Sequence, residues 1–171
     1  MIYNLFKHHS ELYAEWKNFI KVNIFPFPLQ FYFLLDESIL SSLVTKNDLS
    51  PVEIFVYIDQ KHEVKASFML SIQREDLSCE ITFITIDQKI RKTIHSGKII
   101  LQIADFCMEF FQSNNLEYVS CLLPVENKNL IKVFKKYDWT VQTILRKNQM
   151  VVDYQGQKFR RDNYYLDKIL I

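Results

Sequence analysis

The sequence predicts an α/β (α+β) chain built on a mixed, mostly antiparallel central sheet with helices on both faces. Three observations carry that expectation. Val52–Ile58, Val64–Ile72 and Glu80–Ile86 are runs rich in β-branched and aromatic residues, parted by the polar turns Asp59–Glu63 and Arg74–Ser78, as three consecutive antiparallel strands would be. Gly97–Phe111 repeats Ile99, Ile100, Ile103, Ala104, Cys107, Phe110 and Phe111 at helical spacing, so it reads as a crossover helix. A crossover makes Glu80–Ile86 and Leu116–Leu123 parallel.

The remaining elements follow in chain order. Ile2–Phe6 reads as a short strand. Glu11–Ile20 reads as a helix, with Leu12, Trp16, Phe19 and Ile20 on one side and Ser10 as its N-cap. Phe25-Pro-Phe-Pro breaks it. Leu29–Leu35 fits a strand or a helix start, and Glu37–Val44 a helix that ends near Asn47–Pro51. In Glu80–Ile86, strict alternation puts Ile81, Phe83 and Thr85 on one face and Thr82, Ile84 and Ile86 on the other, so the strand is covered on both sides. Pro124 stops Leu116–Leu123. Asn129–Tyr137 is a short helix with Leu130, Ile131, Val133, Phe134 and Tyr137 apolar. Trp139–Asp153 and Lys158–Ile169 are long strands joined at Tyr154-Gln-Gly-Gln157, where Gly156 supplies positive φ.

We read residues 1–171 as a single domain, with 52–169 its clearly patterned core and 1–50 the less legible part. A chain of this length can bury a substantial core. Lys and Arg exceed Asp and Glu by one, so bulk charge argues against a nucleic-acid partner and confines any anion site to a local feature. No stretch is apolar for long enough to span a bilayer, so no membrane partner is expected. Cys79, Cys107 and Cys121 are odd in number and lack metal-ligand spacing. They read as buried free thiols in a reducing cytoplasm. His8-His9 has no partner spacing either, and no metal is expected.

One loop stands out chemically. Gly97 is one of two glycines in the chain and sits where a basic loop meets the long helix. A helix start presents unpaired N–H groups and a positive dipole end, for which an anion, most simply a phosphate, is the natural occupant. Asn127 follows a strand and precedes a helix, which is an N-cap position whatever else it does.

In these segments the chain resembles the GNAT superfamily of acyl-CoA N-acetyltransferases. The nearest branch is the one that acetylates ribosomal-protein N-termini and nucleotide-linked amino sugars. The resemblance covers about Val52 to Leu166. Lys92-Thr-Ile-His-Ser-Gly97 stands where the family has Q/R-x-x-G-x-G/A. Asn127-Lys-Asn-Leu-Ile-Lys-Val-Phe-Lys-Lys-Tyr-Asp-Trp139 stands where it has N-x-x-(S/A)-I-x-L-Y-E-K-x-G-F, and Gln142-Thr-Ile-Leu-Arg146 follows as E-G-x-L-R does. Asp162-Asn-Tyr-Tyr-Leu166 resembles the closing strand. The chain departs at His95 for the first loop glycine, Phe134 for the helix tyrosine and Asp138 for the glycine before the aromatic.

The resemblance implies a sheet splayed between the two parallel strands and an N-acetyltransferase with acetyl-CoA as co-substrate. Amides around Ser96, Gly97 and Lys98 would hold its diphosphate, with charge from Arg91 or Lys92 and a hydrogen bond from His95. Main-chain groups at Ile84 and Ile86 would pair with the pantetheine arm, and one N–H would polarise the thioester. Asn127 and Phe134 would lie beside the arm. Glu80 is the candidate base for the amine, and Tyr137, one turn after Phe134, the candidate for the missing hydroxyl. The acceptor would be a primary amine on a small amino sugar or at a protein N-terminus. A catalytically silent CoA-binding or protein-interaction module is the alternative. The run Phe25–Phe33 reads as core or as an oligomer contact, which leaves a homodimer open.

Overall fold

The computed structural model describes residues 1–24, 26–28, 36, 52–153 and 155–170. In chain order these form β1 (Ile2–Asn4), α1 (His9–Asn23), β2 (Phe27–Pro28), β3 (Val52–Ile58), β4 (Val64–Gln73), β5 (Ser78–Ile86), α2 (Ile94–Ser113), β6 (Tyr118–Pro124), α3 (Lys128–Lys136), β7 (Thr140–Val152) and β8 (Lys158–Ile169). The readings made for Leu29–Leu35, Glu37–Val44 and most of Phe25–Phe33 lie outside the described residues. Helix α1 begins at His9 with His8 at its cap position, so Ser10 is inside the helix and is not its N-cap.

The strands form one eight-stranded sheet in the order β1-β3-β4-β5-β6-β8-β7-β2. Among the described strands only β5 and β6 run parallel; the other pairs are antiparallel. The right-handed crossover preference places α2 on one face of this sheet. There Ile99, Ile103, Cys107 and Phe111 of α2 and Ile131 and Phe134 of α3 pack on Phe68, Leu70, Ile81, Cys121 and Leu166. On the opposite face Trp16, Phe19 and Ile20 of α1 pack on Ile54, Val56 and Met69. Fully buried side chains such as Ile99 and Phe111 contribute roughly 1.5–3 kcal/mol each relative to exposure. Buried Trp16 donates its Nε1–H to Ser67 Oγ at 2.9 Å, and Ser67 Oγ donates to Phe55 O at 3.1 Å, so no polar atom is stranded there.

One irregularity corrects the sequence reading. Leu70 pairs with Ile81 but Met69 pairs with Phe83, which makes Thr82 an extra residue in β5. Its hydroxyl donates to Met69 O at 3.3 Å. A bulge of this kind breaks the two-residue alternation. Cys79 and Ile81 below it, and Ile84 and Ile86 above it, therefore all pack on the α2 face, whereas Phe83 packs on the α1 face. The expected grouping of Ile81 with Phe83 and Thr85 does not hold.

Candidate functional site

The parallel pair is short. Ser78–Ile81 pair with Tyr118–Cys121 and the pairing stops there. Beyond that point β5 continues to Ile86 against β4, and β6 continues to Pro124 against β8. The sheet therefore opens between its two central strands immediately after Ile81 and Cys121. Asp87 N–H donates to Lys65 O on β4 at 2.9 Å. Alternation along an antiparallel pair then turns the main-chain groups of Ile84 and Ile86 away from β4, toward the opening. On the α2 face beside it, Ile81, Ile84, Ile103, Cys107, Phe134 and Tyr137 line an apolar groove between α2 and α3.

The front of α2 lies beyond the end of β5. The helix begins at Ile94, three residues before Gly97, with extended Thr93 as its N-cap. Thr93 Oγ1 accepts from Ser96 N–H at 3.3 Å, Ser96 Oγ donates to Thr93 O at 2.8 Å, and Gly97 N–H donates to Thr93 O at 3.3 Å. The Ser96 and Gly97 amides are thus spent within the first turn and Lys98 already lies in the second, which corrects the expectation that these three amides face a ligand. The unpaired amides at the front, among the described residues, are those of Ile94 and His95. Sequence periodicity missed this start because Ile94 is 84% exposed and so adds nothing to the apolar stripe. Thr93 carried the usable signal, being an N-cap type three residues before Ser96.

The basic side chains divide. Lys92, His95 and Lys98 are exposed around this turn. Lys92 takes the left-handed conformation (φ 64°), whereas His95 does not, so its Cβ is unstrained. Arg91 folds back instead. Its Nε donates to Ile86 O at 2.9 Å, and Nη2 donates to Asn23 O and to Thr85 Oγ1, the latter at 3.3 Å. Arg91 ties the end of α1 to the end of β5, and burial lowers its pKa. It does not join the loop cluster.

Around the groove, Phe134 is buried and stands edge-on to Trp139 at 4.8 Å. The Tyr137 hydroxyl donates to Asp105 of α2. That bond, more than desolvation, raises its pKa to about 12. Asp105 is thus a residue the sequence reading missed. Asn127 holds the N-cap position of α3 without a side-chain capping bond and is exposed. Glu80 pairs in register with Ser71 and Ser120 on its two neighbours. Cys79 and Ile81 face α2, so Glu80 lies on the α1 face of the sheet, one residue below the opening. Burial raises its pKa.

By sequence the chain matches no family profile and no curated protein. Solved structures do resemble it. A probable acetyltransferase from Staphylococcus epidermidis ATCC 12228 aligns over 100% of this chain and 99% of its own, with TM-score 0.73 and 11% identity. The ribosomal-protein-S18-alanine N-acetyltransferase from Escherichia coli aligns over 99% and 92%, with TM-score 0.68 and 12% identity. Spermidine N-acetyltransferase from Vibrio cholerae, solved with CoA and spermine, aligns over 99% and 94%, with TM-score 0.67 and 13% identity. The chain has the fold of the GNAT acetyltransferases. Such identities carry the fold and do not separate one GNAT branch from another. The GNAT fold accounts for the parallel β5–β6 pair within an otherwise antiparallel sheet. No helix among the described residues is long and apolar enough to cross a membrane. No group of three or more His, Cys, Asp or Glu among them is placed to hold a metal ion. Cys79, Cys107 and Cys121 are buried and free.

Proposed function

We propose that the chain is an acyl-CoA-dependent N-acyltransferase that moves acetyl from acetyl-CoA to a primary amine. The observation that carries this reading is the opening after Ile81 and Cys121, with the main-chain groups of Ile84 and the N–H of Ile86 turned into it and an apolar groove beside it. A pantetheine arm pairs there as an added strand. Its diphosphate meets the front of α2, where the Ile94 and His95 amides, Lys92, Lys98 and the His95 ring supply donors and charge. Ser96 and Gly97 shape that turn rather than donate to the ligand, and Asn127 lies across the groove at the start of α3.

The amine approaches from the α1 face. Its nitrogen attacks the thioester carbon, a main-chain N–H of β5 steadies the oxyanion, and the C–S bond breaks as the N–C bond forms. Glu80 takes the ammonium proton, directly or through water. The thiolate is a good leaving group (simple thiols have pKa values of about 8–9) and is protonated by Tyr137 or by solvent. The acceptor class is an amino sugar or a protein N-terminus.

A second reading, a catalytically silent GNAT-fold module, is favoured by Phe134 at the family's tyrosine position and by the commitment of the Tyr137 hydroxyl to Asp105. Calorimetric titration with acetyl-CoA separates the two. Micromolar binding with CoA release in the presence of amines supports the enzyme. No heat and no thermal shift at millimolar ligand supports the silent module. Gly97→Glu is the control, because a Cβ at Gly97 meets nothing within 4 Å. The variant folds, and its bulk and charge abolish CoA binding if the coenzyme lies there.

A further inference from the structure

Above the opening, a polar cluster is built into the α1 face of the β7–β8 arm. Leu166 packs on the α2 face, so alternation places Asn163, and Arg161 two residues before it, on the opposite face of β8. Asn163 pairs with Pro124 at the end of β6 and with Leu145 of β7. It stands level with the last residue of β6, on the far side of that strand from the opening and on the sheet face from which the proposed acceptor approaches.

The cluster is internally determined yet incomplete. Arg161 Nη2 donates to Gln149 Oε1 at 2.7 Å. Asn163 Nδ2 donates to Asn148 Oδ1 at 2.9 Å and to Gln149 Oε1 at 3.3 Å. These bonds fix the orientation of the Asn163 and Gln149 amides. Two atoms remain orphaned in the interior, Arg161 Nε, a donor, and Asn163 Oδ1, an acceptor. Asn163 is 0% exposed and Gln149 7%. Each orphan costs desolvation that nothing in the described chain offsets. Arg161 forms no ion pair with any described carboxylate, and Glu126 attracts it only at longer range. The other cations of the arm have partners of their own: Arg160 donates to Lys147 O at 3.0 Å, and Arg146 lies 3.9 Å from Asp162.

We propose that Arg161 and Asn163 bind an oxyanion carried by the amine acceptor. A phosphate or carboxylate oxygen accepts from Arg161 Nε–H, and an adjacent hydroxyl or N–H of the same molecule donates to Asn163 Oδ1. The inference rests on the acyl-transfer reading and narrows its substrate class to primary amines bearing a negative group. A polyamine brings only further positive charge to a guanidinium that has no ion pair with a described carboxylate, and it is disfavoured there.

The test uses the whole chain and two matched pairs of probes, glucosamine 6-phosphate against glucosamine and alanine against alaninamide, with spermidine as the polycation. Each is titrated calorimetrically with and without saturating CoA. In at least one pair the oxyanion member is expected to bind ten-fold or more tightly than its neutral partner, and the pair that discriminates tells phosphate from carboxylate. Arg161→Gln erases the preference with CoA affinity unchanged, and Arg161→Lys keeps part of it. Equal affinities within both pairs, as when an internal water bridges the two orphan atoms, overturn the proposal. So does tighter binding of spermidine, or an Arg161→Gln protein that keeps the preference. Loss of CoA binding alone counts against acyl transfer and leaves the anion preference readable in the titrations without it.

Discussion

Trp139 stands edge-on to Phe134 at 4.8 Å, with their rings at 83°, because the chain between them ends α3 in a Schellman motif. Trp139 N–H donates to Phe134 O at 3.2 Å and Asp138 N–H to Lys135 O at 3.1 Å. Those two bonds, with the aromatic contact across them, close the helix. The motif needs a residue with positive φ, and Asp138 takes it at 62°. The GNAT glycine at this position thus has a conformational reason, and this chain meets the requirement with an aspartate.

Asp138→Gly is therefore expected to stabilise the protein. Relief of the left-handed strain outweighs the added freedom of the unfolded chain by about 0.5–1 kcal/mol. The ion pair with Lys168, at 3.8 Å with Asp138 92% exposed, is a small loss. Thermal melts should show Tm higher by about 1–4 °C, and Asp138→Val should fall below the parent. A lower Tm for the glycine variant refutes the account.

Tyr137 and Phe134 make a linked prediction. The Asp105 bond raises the Tyr137 pKa to about 12. A group raised in the folded state contributes stability that is full below its ordinary pKa near 10 and is lost as pH rises through 12. The alkaline fall in stability should be shallower in Tyr137→Phe than in the parent, read as the difference between their urea midpoints from pH 9 to 12. Such a raised phenol is also a weak acid at neutral pH, so Tyr137→Phe is expected to keep most of its turnover. Phe134→Tyr restores a hydroxyl in the groove. Because a thiolate leaves readily, the gain in CoA release is expected to be about ten-fold at most.

The cysteines predict inertness. Burial raises the thiol of Cys79 to about 12 and pushes Cys107 and Cys121 up as well, with Glu80 and Asp167 adding to the effect at Cys121. The thiolate is the reactive species. At pH 8 the native protein should leave a chromogenic disulfide reagent almost unconsumed over hours, and all three thiols should appear on unfolding. Rapid native labelling of any one of them contradicts the packing of the core on the α2 face.

What the sequence shows and what it hides have physical causes. The strand Val52–Ile58 is read to the residue because its turns are polar and its interior β-branched. The crossover through Cys107 and Phe111, and hence the parallel pair, follows from helical spacing alone. The bulge at Thr82 is invisible, since a two-residue pattern assumes no extra residue. The start of α2 is misplaced because Ile94 and His95 are exposed and Gly97, rare in this chain, marks no boundary. Arg91 has the right charge for the loop but is claimed by carbonyls 5 and 68 residues away in sequence. The Arg161–Asn163–Gln149 cluster depends on β7–β8 register, which slips twice, between Val141 and Thr143 and between Leu145 and Gln149. No local pattern encodes those slips.

Glu80 is expected to weigh on stability and on the proposed activity with opposite signs. Burial raises its pKa, so its neutral form suits the folded state better than its charged form. The stability linked to it is present below the ordinary carboxylate range and is lost as pH rises through the raised value. Glu80→Gln keeps the shape and cannot ionise, and it is expected to raise the urea midpoint at pH 7 and to leave it unchanged at pH 3. If Glu80 is the base, the same substitution lowers kcat/KM for the amine by about 10²-fold or more and removes the acid limb of its pH profile, while CoA affinity stays as it was. A variant that is more stable and equally active assigns Glu80 to the sheet alone. One that loses both stability and CoA binding shows that the carboxylate holds the opening in shape, which its place one residue below the parting of β5 from β6 argues against.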